Sequence, residues 1–190
     1  GRYQESLDKL QQAEKTETHS VTINYLTALN HFRMKDYSRA IERFQATLRI
    51  DPKFALATFY LGMAQVQTND IDGATVSFER SLELDATNFT AAYNLGAAYL
   101  KKGRVDPALR QFQRAVEFNP QYAQAHAARG ELFLYLKRPE DAARALERAV
   151  ELAPRASKAH YNLGQAYQAL GRTADAQKEF ERAKTVASDQ

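Results

Sequence analysis

The sequence predicts an all-α protein built from stacked helix–turn–helix repeats, and three observations support this fold class. Cutting the chain into 34-residue pieces from Val21 gives five pieces with no remainder. Glycine or alanine recurs at position 8 and alanine at position 20, counting from the first residue of each piece. A large apolar side chain recurs at position 24. A fixed period of about 20–50 residues is typical of repeat arrays in which each unit packs on its neighbours.

The recurring residues predict how each piece folds. Position 8 holds Ala28, Gly62, Gly96, Gly130 and Gly164. Position 20 holds Ala40, Ala74, Ala108, Ala142 and Ala176. Position 24 holds Phe44, Phe78, Phe112, Leu146 and Phe180. Small side chains let two helices approach closely, and a large one fills the space between them. We therefore expect each piece to form two helices, A and then B, of about 12–15 residues each.

The expected end of helix A is position 15 of each repeat. Gly103 and Gly171 occupy this position, and glycine readily takes the left-handed conformation of a helix end. Asn69 tolerates the same conformation, whereas Lys35 and Lys137 do so less readily.

The expected bounds of helix B come from aspartate and proline. Asp106 directly precedes Pro107, which predicts an N-cap followed by the first helical turn. Pro52, Pro120 and Pro154 should each stop a helix B, because proline cannot continue the helical hydrogen bonding.

Over its whole length the chain resembles the tetratricopeptide repeat (TPR) family. The piece from Phe89 to Tyr122 matches the family pattern best, through Leu95, Gly96, Tyr99, Ala108, Phe112, Ala115 and Pro120. Position 4 is never tryptophan, and Thr27 and Arg129 replace the usual leucine at position 7. The resemblance implies a right-handed α-solenoid of eleven helices, with repeats at residues 21–54, 55–88, 89–122, 123–156 and 157–190.

The two ends of the chain suggest different roles in the array. Residues 1–20 are interpreted as helix B of a truncated preceding repeat with Gly1 at position 15, and hence the chain as a piece of a longer protein. Gln177 and Lys184 hold positions 21 and 28 of the fifth repeat, where earlier repeats are mostly apolar. A terminal repeat needs a polar outer face. We therefore expect residues 157–190 to cap the array, which would end near Gln190.

Composition and charge exclude several classes of site. The chain has no cysteine, which excludes disulfides, thiolate nucleophiles and cysteine zinc sites. No apolar stretch approaches the ~20 residues of a membrane span, so direct membrane insertion is not expected. Basic residues alternate with acidic ones, which argues against nucleic-acid binding. The net charge of +3 is uneven, with +3, −4 and +3 in the first three repeats, and could set register with a partner or a second copy.

The resemblance implies that helix A of each repeat lines a concave, peptide-binding groove. Positions 2, 5, 6, 9, 12 and 13 would share that face, and they include Leu26, Leu56 and Leu100. The candidate groove residues are Tyr25, Leu29, Phe59, Tyr60, Met63, Tyr93, Asn94, Lys101, Glu131, Tyr135, Lys158, Tyr161 and Asn162. The first half is apolar and aromatic, which suits burial of a ligand's side chains, and the second half is polar.

Some of these groove positions also bear on the packing of the fold. The aromatics at position 5 also have a packing role in the family. Leu29 and Met63 lie at position 9, where Ala97, Glu131 and Gln165 show that bulk is not required for the fold. We therefore expect polar replacement of Leu29 or Met63 to cost little stability.

Two known TPR binding modes fit poorly. Chaperone-binding TPR domains hold a peptide carboxylate with lysine, asparagine and arginine at set positions. In that register this chain has Tyr93, Ala97, Ala128, Lys158 and Asn162, of which only Lys158 matches. The asparagine ladder of glycosyltransferase-type arrays, at position 6, is matched only by Asn94 and Asn162.

Catalytic motifs are missing from the sequence, so no enzyme activity, cofactor or metal is expected. The four histidines are His19, His31, His126 and His160. His126 and His160 both lie at position 4, which packs between helices A and B, and we interpret both as packing residues.

The function that the sequence favours is a protein-interaction scaffold that binds a peptide segment of a partner protein in the groove. Two alternatives stay open. The first is a self-assembling scaffold, and hence a homo-oligomer. The second is a non-catalytic targeting region of a larger enzyme. The sequence does not indicate a cellular compartment.

Overall fold

The computed structural model describes residues 2–17 and 19–188, which form eleven α-helices and no β-strand. The helices are α1 (Arg2–Glu14), α2 (Val21–Arg33), α3 (Tyr37–Ile50), α4 (Ala55–Gln67), α5 (Ile71–Leu84), α6 (Phe89–Lys101), α7 (Val105–Phe118), α8 (Ala123–Tyr135), α9 (Pro139–Leu152), α10 (Ser157–Ala169) and α11 (Thr173–Ser188). Gly1 and Gln190, which bound the predicted array, lie outside the described residues.

The repeat phase is kept throughout the described chain. The A helices α2, α4, α6, α8 and α10 begin 34 residues apart, as do the B helices α3, α5, α7, α9 and α11. Each A helix has 13 residues. The prediction of an all-α fold of helix–turn–helix repeats is confirmed. Pro52, Pro120 and Pro154 each lie two residues beyond the end of a helix B, as expected.

The chain divides into two compact units. The first spans Gly1–Arg104 and contains α1–α6, and the second spans Val105–Gln190 and contains α7–α11. In the first unit, Ala28, Ala40, Phe44 and Leu61 belong to one buried core. The core of the second unit is built in the same way from Phe133, Ala142, Ala145, Leu146, Leu163, Ala166, Tyr167 and Ala176. The division falls inside the third repeat, between its two helices.

In all five repeats the residue at position 15, two residues beyond the end of helix A, has a left-handed backbone conformation. Gly103 and Gly171 have φ angles of 69° and 72°, as the sequence predicts. Asn69 has a φ of 61°, and Lys35 and Lys137 take the same conformation at 62° and 56° despite their side chains. The turn between helices A and B therefore has one geometry, and in two repeats a lysine adopts it at an energetic cost.

Helix B begins in two ways. Asp36 and Asp70, at position 16, accept backbone hydrogen bonds from Arg39 and Gly73 at 3.3 and 3.0 Å and so cap α3 and α5. The predicted N-cap role of Asp106 is wrong, because α7 begins one residue earlier, at Val105. Asp106 instead lies within the first turn, where its negative charge is attracted by the positive end of the helix dipole.

In the last three repeats an arginine replaces the position-16 aspartate. The guanidinium groups of these arginines lie over the aromatic ring at position 11 of the same repeat. The pairs and distances are Arg104 with Tyr99 (4.8 Å), Arg138 with Phe133 (4.8 Å) and Arg172 with Tyr167 (4.0 Å). A cation over an aromatic face is attracted by the ring quadrupole, so in the fourth and fifth repeats the arginine holds the start of helix B against helix A.

Replacing Ala142 with leucine tests the close crossing of α8 and α9. Ala142 is completely buried in the second-unit core, so the added carbons must displace packed neighbours. We expect a loss of about 1–3 kcal/mol in the free energy of unfolding, measured by urea denaturation. Arg144→Leu is the matched control, because Arg144 lies on the same helix with its side chain 73% exposed. Equal stability of Ala142→Leu and wild type would contradict the crossing.

Replacing Lys137 with glycine should stabilise the protein. A left-handed conformation costs an L-residue about 1–2 kcal/mol, and the greater unfolded-state freedom of glycine takes back about 0.5–1 kcal/mol. We expect a net gain of about 0.5–1 kcal/mol in the free energy of unfolding. The control Lys137→Ala keeps the β-carbon and should give no gain. A stabilising alanine would show that the lysine side chain, rather than the backbone, is responsible.

Candidate functional site

In the first unit, three A helices lie side by side and present one surface. Helix α4 contacts both α2 and α6. Residues at positions 2, 5, 6, 9, 12 and 13 of these helices lie on one helical face, because spacings of three and four match the helical period. We call this surface the A-face stripe, formed by Thr22, Tyr25, Leu26, Leu29, Phe32, Arg33, Leu56, Phe59, Tyr60, Met63, Val66, Gln67, Thr90, Tyr93, Asn94, Ala97, Leu100 and Lys101.

The aromatic residues of the stripe pack on the core beneath it. The ring of Tyr25 lies 6.1 Å from Phe44, 4.7 Å from Phe54 and 6.4 Å from Tyr60. Phe44 and Tyr60 are stacked at 6.0 Å. Burial raises the pKa of the Tyr25 hydroxyl, and the nearby Tyr60 raises it further. Tyr25 and Tyr60 are half-buried, so each contributes to both the fold and the surface.

The two position-9 residues of the first half are also half-buried. Leu29 packs against the first-unit core, so its side chain contributes to the fold as well as to the stripe. Met63 is half-buried on the neighbouring helix. Later repeats have alanine, glutamate or glutamine at this position, in Ala97, Glu131 and Gln165.

The most exposed apolar residues of the stripe are three leucines that are not among the candidate groove residues. Leu26, Leu56 and Leu100 are 41%, 49% and 37% exposed. The repeat pattern places all three in the stripe. Their exposure does not follow from repeat position alone, because Tyr60 and Asn94, at the same position as Leu26, are half-buried.

The polar residues of the stripe lie on α6. The Asn94 side-chain amide donates a hydrogen bond to the Thr90 backbone oxygen at 2.8 Å, which leaves its carbonyl oxygen as an acceptor. Lys101 is exposed at the end of the helix, and Tyr93 is half-buried.

The predicted residues of the second unit are distributed over α8 and α10. Lys158 and Glu131 form an ion pair at 2.9 Å that joins these two helices. Tyr135 and Tyr161 are 72% and 51% exposed. Asn162 is only 7% exposed, so little of it is accessible to a ligand in this structure.

Comparison with known proteins places the chain in a family. Two sequence models described as tetratricopeptide repeat match it, one over residues 66–132 and the other over residues 25–88 and 127–190. The chain belongs to the tetratricopeptide repeat family. None of the curated protein sequences compared with it matches.

Solved TPR structures share the fold. A crystal structure of MamA is 25% identical with a TM-score of 0.79, covering 85% of this chain and 95% of that one. Residues 41 to the end of MamA from Desulfovibrio magneticus RS-1 are 22% identical with a TM-score of 0.80, covering 90% and 96%. YrrB, described as a TPR protein with an unusual peptide-binding site, is 22% identical with a TM-score of 0.80, covering 95% and 93%. Family and fold together are those of a protein-interaction scaffold.

The position-4 histidines of this TPR chain serve packing, as the sequence predicts. His126 is 7% exposed and its Nε2 lies 3.0 Å from the Pro120 oxygen. His160 makes the equivalent contact with Pro154 at 3.0 Å, and its Nδ1 lies 2.6 Å from a carboxylate oxygen of Glu179. Each histidine therefore ties helix A to the proline turn before it.

Buried charge is concentrated in the last TPR repeat. The side chains of His160 and Glu179 are each only 7% exposed, and Arg182 donates to the second Glu179 oxygen at 2.6 Å. The carboxylate thus has a partner on each oxygen, as a buried charge requires. Glu179 occupies a position where the fourth repeat has Ala145, so the fourth repeat lacks this network. In the first repeat the same two positions hold Arg43 and Asn24, and Arg43 donates a hydrogen bond to Asn24 at 3.2 Å.

Within residues 2–17 and 19–188, the side chains form no cluster of three or more potential metal ligands. In the described part of the chain, no helix combines the length and the apolar character that crossing a membrane requires.

Replacing His126 with glutamine should make stability less dependent on pH. Burial lowers the pKa of His126, and Arg129 and Arg148 lower it further against the opposing hydrogen bond to Pro120. A lowered folded-state pKa means that the stability contributed by neutral His126 is present above about pH 6.5 and is lost as pH falls through the folded pKa. Wild type should therefore lose more unfolding free energy between pH 7.5 and 5 than His126→Gln.

The difference in pH dependence between wild type and His126→Gln reports on His126, because all other titratable groups are common to both proteins. The pKa of His31 is also lowered by burial, and its contribution cancels. Urea denaturation at several pH values measures the difference. Parallel pH profiles for wild type and His126→Gln would contradict the assigned direction.

Proposed function

We propose that the chain is a non-catalytic scaffold whose A-face stripe binds an apolar segment of a partner protein. The observation that carries the proposal is the exposure of Leu26, Leu56 and Leu100 on three neighbouring A helices. Scattered single leucines on a surface need no explanation, but exposed apolar side chains on the same face of adjacent helices are typical of binding sites.

The stripe has the makeup of an interface core. Half-buried aromatics, held by the packing of Tyr25 and Tyr60 on Phe44, offer rigid surface at little cost in conformational entropy. Met63 offers an adaptable apolar contact beside them. At one edge, the free carbonyl of Asn94 and the ammonium of Lys101 can bind the backbone or side chains of an extended or helical segment. The same fold carries a peptide-binding site in YrrB.

The buried titratable groups of the scaffold have packing roles and no catalytic role. His126 and His160 hold proline turns, and Glu179 is held by two partners. A general base needs access to a substrate proton, which a residue buried between helices A and B lacks.

A second candidate function is self-association, favoured by the charge contrast between repeats. The second repeat carries −4 between repeats that carry +3 each. On its helix B, Asp72 is 86% exposed and Val76 is 65% exposed. Complementary patches of this kind steer association, and salt weakens them. A sedimentation coefficient that rises with protein concentration at low salt would support it, and a constant coefficient would exclude it.

The stripe can be tested with the double variant Leu26→Ser, Leu56→Ser. Peptides selected on the wild-type chain from a displayed random library should bind this variant at least about tenfold more weakly, since losing buried anchors typically costs about 2 kcal/mol or more. Fluorescence anisotropy gives the dissociation constants, and circular dichroism verifies the fold. Stability should fall less than for a core leucine, because Leu26 and Leu56 are 41% and 49% exposed.

Val76→Ser is the matched control, because Val76 is an exposed apolar residue on helix α5, outside the stripe. It should leave peptide affinity unchanged. Full affinity of the double variant, or equal losses in the control, would place the binding site elsewhere.

A further inference from the structure

A cleft of about 450 Å³ lies in the second unit, where α7, α8 and the start of α9 meet. Its lining residues are Leu109, Arg110, Gln113 and Glu117 of α7, Phe133 of α8 and Arg138, which directly precedes α9. We call it the Phe133 cleft. It contains no residue of the A-face stripe, and its lining combines apolar surface with charged and polar side chains.

Arg129 departs from the repeat pattern beside this cleft. It holds position 7, one helical turn before Phe133, and the central carbon of its guanidinium lies 5.7 Å from the centre of that ring. At the same position Leu61, Leu95 and Leu163 are only 9%, 2% and 2% exposed. Arg129 is half-buried. A cationic group therefore stands where three other repeats bury a leucine.

Arg129 lacks a counter-ion among the residues that the structure describes. Its Nε is buried and has no hydrogen-bond partner there. Burial lowers the pKa of Arg129, and the charges of Asp141 and Glu117 oppose that shift without a hydrogen bond to the guanidinium. A buried charge is costly unless it is paired, so this site carries an unmet demand for an anion.

The two acidic residues that act on this guanidinium are engaged by other side chains. Asp141 forms ion pairs with Arg138 and Arg144. Glu117 accepts a hydrogen bond from the side-chain amide of Gln113 at 3.0 Å. Within the described chain, the demand for an anion is therefore not met from inside the fold.

Two further arginines line the cleft. Arg110 is exposed on α7 and forms no ion pair with a carboxylate in the described part of the chain. Arg138 lies over the Phe133 ring at 4.8 Å, and 52% of its side chain is exposed. Each guanidinium presents several N–H donors in a planar fork that matches the geometry of an oxyanion. The cleft thus offers arginine donors beside an aromatic ring.

We propose that the Phe133 cleft binds an acidic side chain in an apolar segment of a partner protein. The carboxylate pairs with Arg129, the exposed Arg110 attracts it into the cleft, and neighbouring apolar side chains contact Leu109 and Phe133. Glu117 also lines the cleft and limits its positive charge, which favours the single charge of a carboxylate over the double charge of a phosphate. A local exception to the packing rule is expected at such a functional site. The site does not depend on the A-face stripe.

Three probes test the proposal on the 190-residue chain. The first is a short peptide of alternating leucine and glutamate, blocked at both ends so that its only charges are side-chain carboxylates. The second has glutamine in place of every glutamate, and the third is inorganic phosphate. Isothermal titration calorimetry should show at least about tenfold weaker binding of the glutamine peptide than of the glutamate peptide, because charge-assisted hydrogen bonds are the stronger ones. Phosphate should also bind more weakly than the glutamate peptide.

Variants locate the binding. Arg129→Leu restores the residue of the other repeats, so its melting temperature should equal or exceed that of wild type, while its affinity for the glutamate peptide should fall at least about tenfold. Arg110→Gln should weaken the same binding and leave the melting temperature unchanged. The matched control is Lys178→Leu, which removes one positive charge from α11 in the same unit, outside the cleft. It should bind the glutamate peptide as wild type does.

Four results would overturn the proposal. The first is equal affinity of wild type and Arg129→Leu for the glutamate peptide. The second is equal binding of the two peptides, or tighter binding of phosphate than of the glutamate peptide. The third is loss of binding in the Leu26→Ser, Leu56→Ser variant, which would place the peptide on the A-face stripe. The fourth is a lower melting temperature for Arg129→Leu than for wild type, which would make Arg129 a residue that stabilises the fold.

Discussion

The contact between the small residue at position 8 of helix A and the large residue at position 24 of helix B underlies the rest of the structure. A β-carbon added at Gly62 would lie 2.8 Å from Phe78, and at Gly130 and Gly164 it would lie 2.3 and 2.5 Å from Leu146 and Phe180. These distances are below van der Waals contact, so the backbone of helix A rests directly on the large side chain. The contact fixes the spacing of the helix pair in the second, fourth and fifth repeats.

This packing also determines which surface remains for binding. The ring at position 5 lies beside the position-24 ring, at 6.1 Å for Tyr25 and Phe44 and at 6.0 Å for Phe59 and Phe78. The same aromatic residue therefore covers the core on one side and supports the A-face stripe on the other. In the last repeat the equivalent rings, Tyr161 and Phe180, line an open cavity among the described residues. Stripe and cavity are thus two consequences of one repeated arrangement.

The sequence predicts the elements of the fold well and the candidate site less well. The period locates each helix, and Gly103 and Gly171 mark two of the turns, because these features depend on local conformation and repetition. Exposure depends on the neighbours of each side chain, which differ between repeats. The polar type of Asn162 therefore suggested a groove residue where the structure buries it, and Leu29 proved to pack on the core. The His160–Glu179 pair joins residues 19 apart that no motif connects.

The most direct test of the A-face stripe uses the two methionines of the chain, Met34 and Met63. Met63 lies in the stripe, whereas Met34 lies at the end of α2 beside α1 and is 43% exposed. With ¹³C-methyl methionine labelling, the NMR spectrum contains one methyl signal from each. Titration with a peptide selected on the wild-type chain should shift and broaden the Met63 signal and leave that of Met34 unchanged. A shift confined to Met34, or saturated binding with neither signal altered, would contradict the assignment of the stripe as the binding surface.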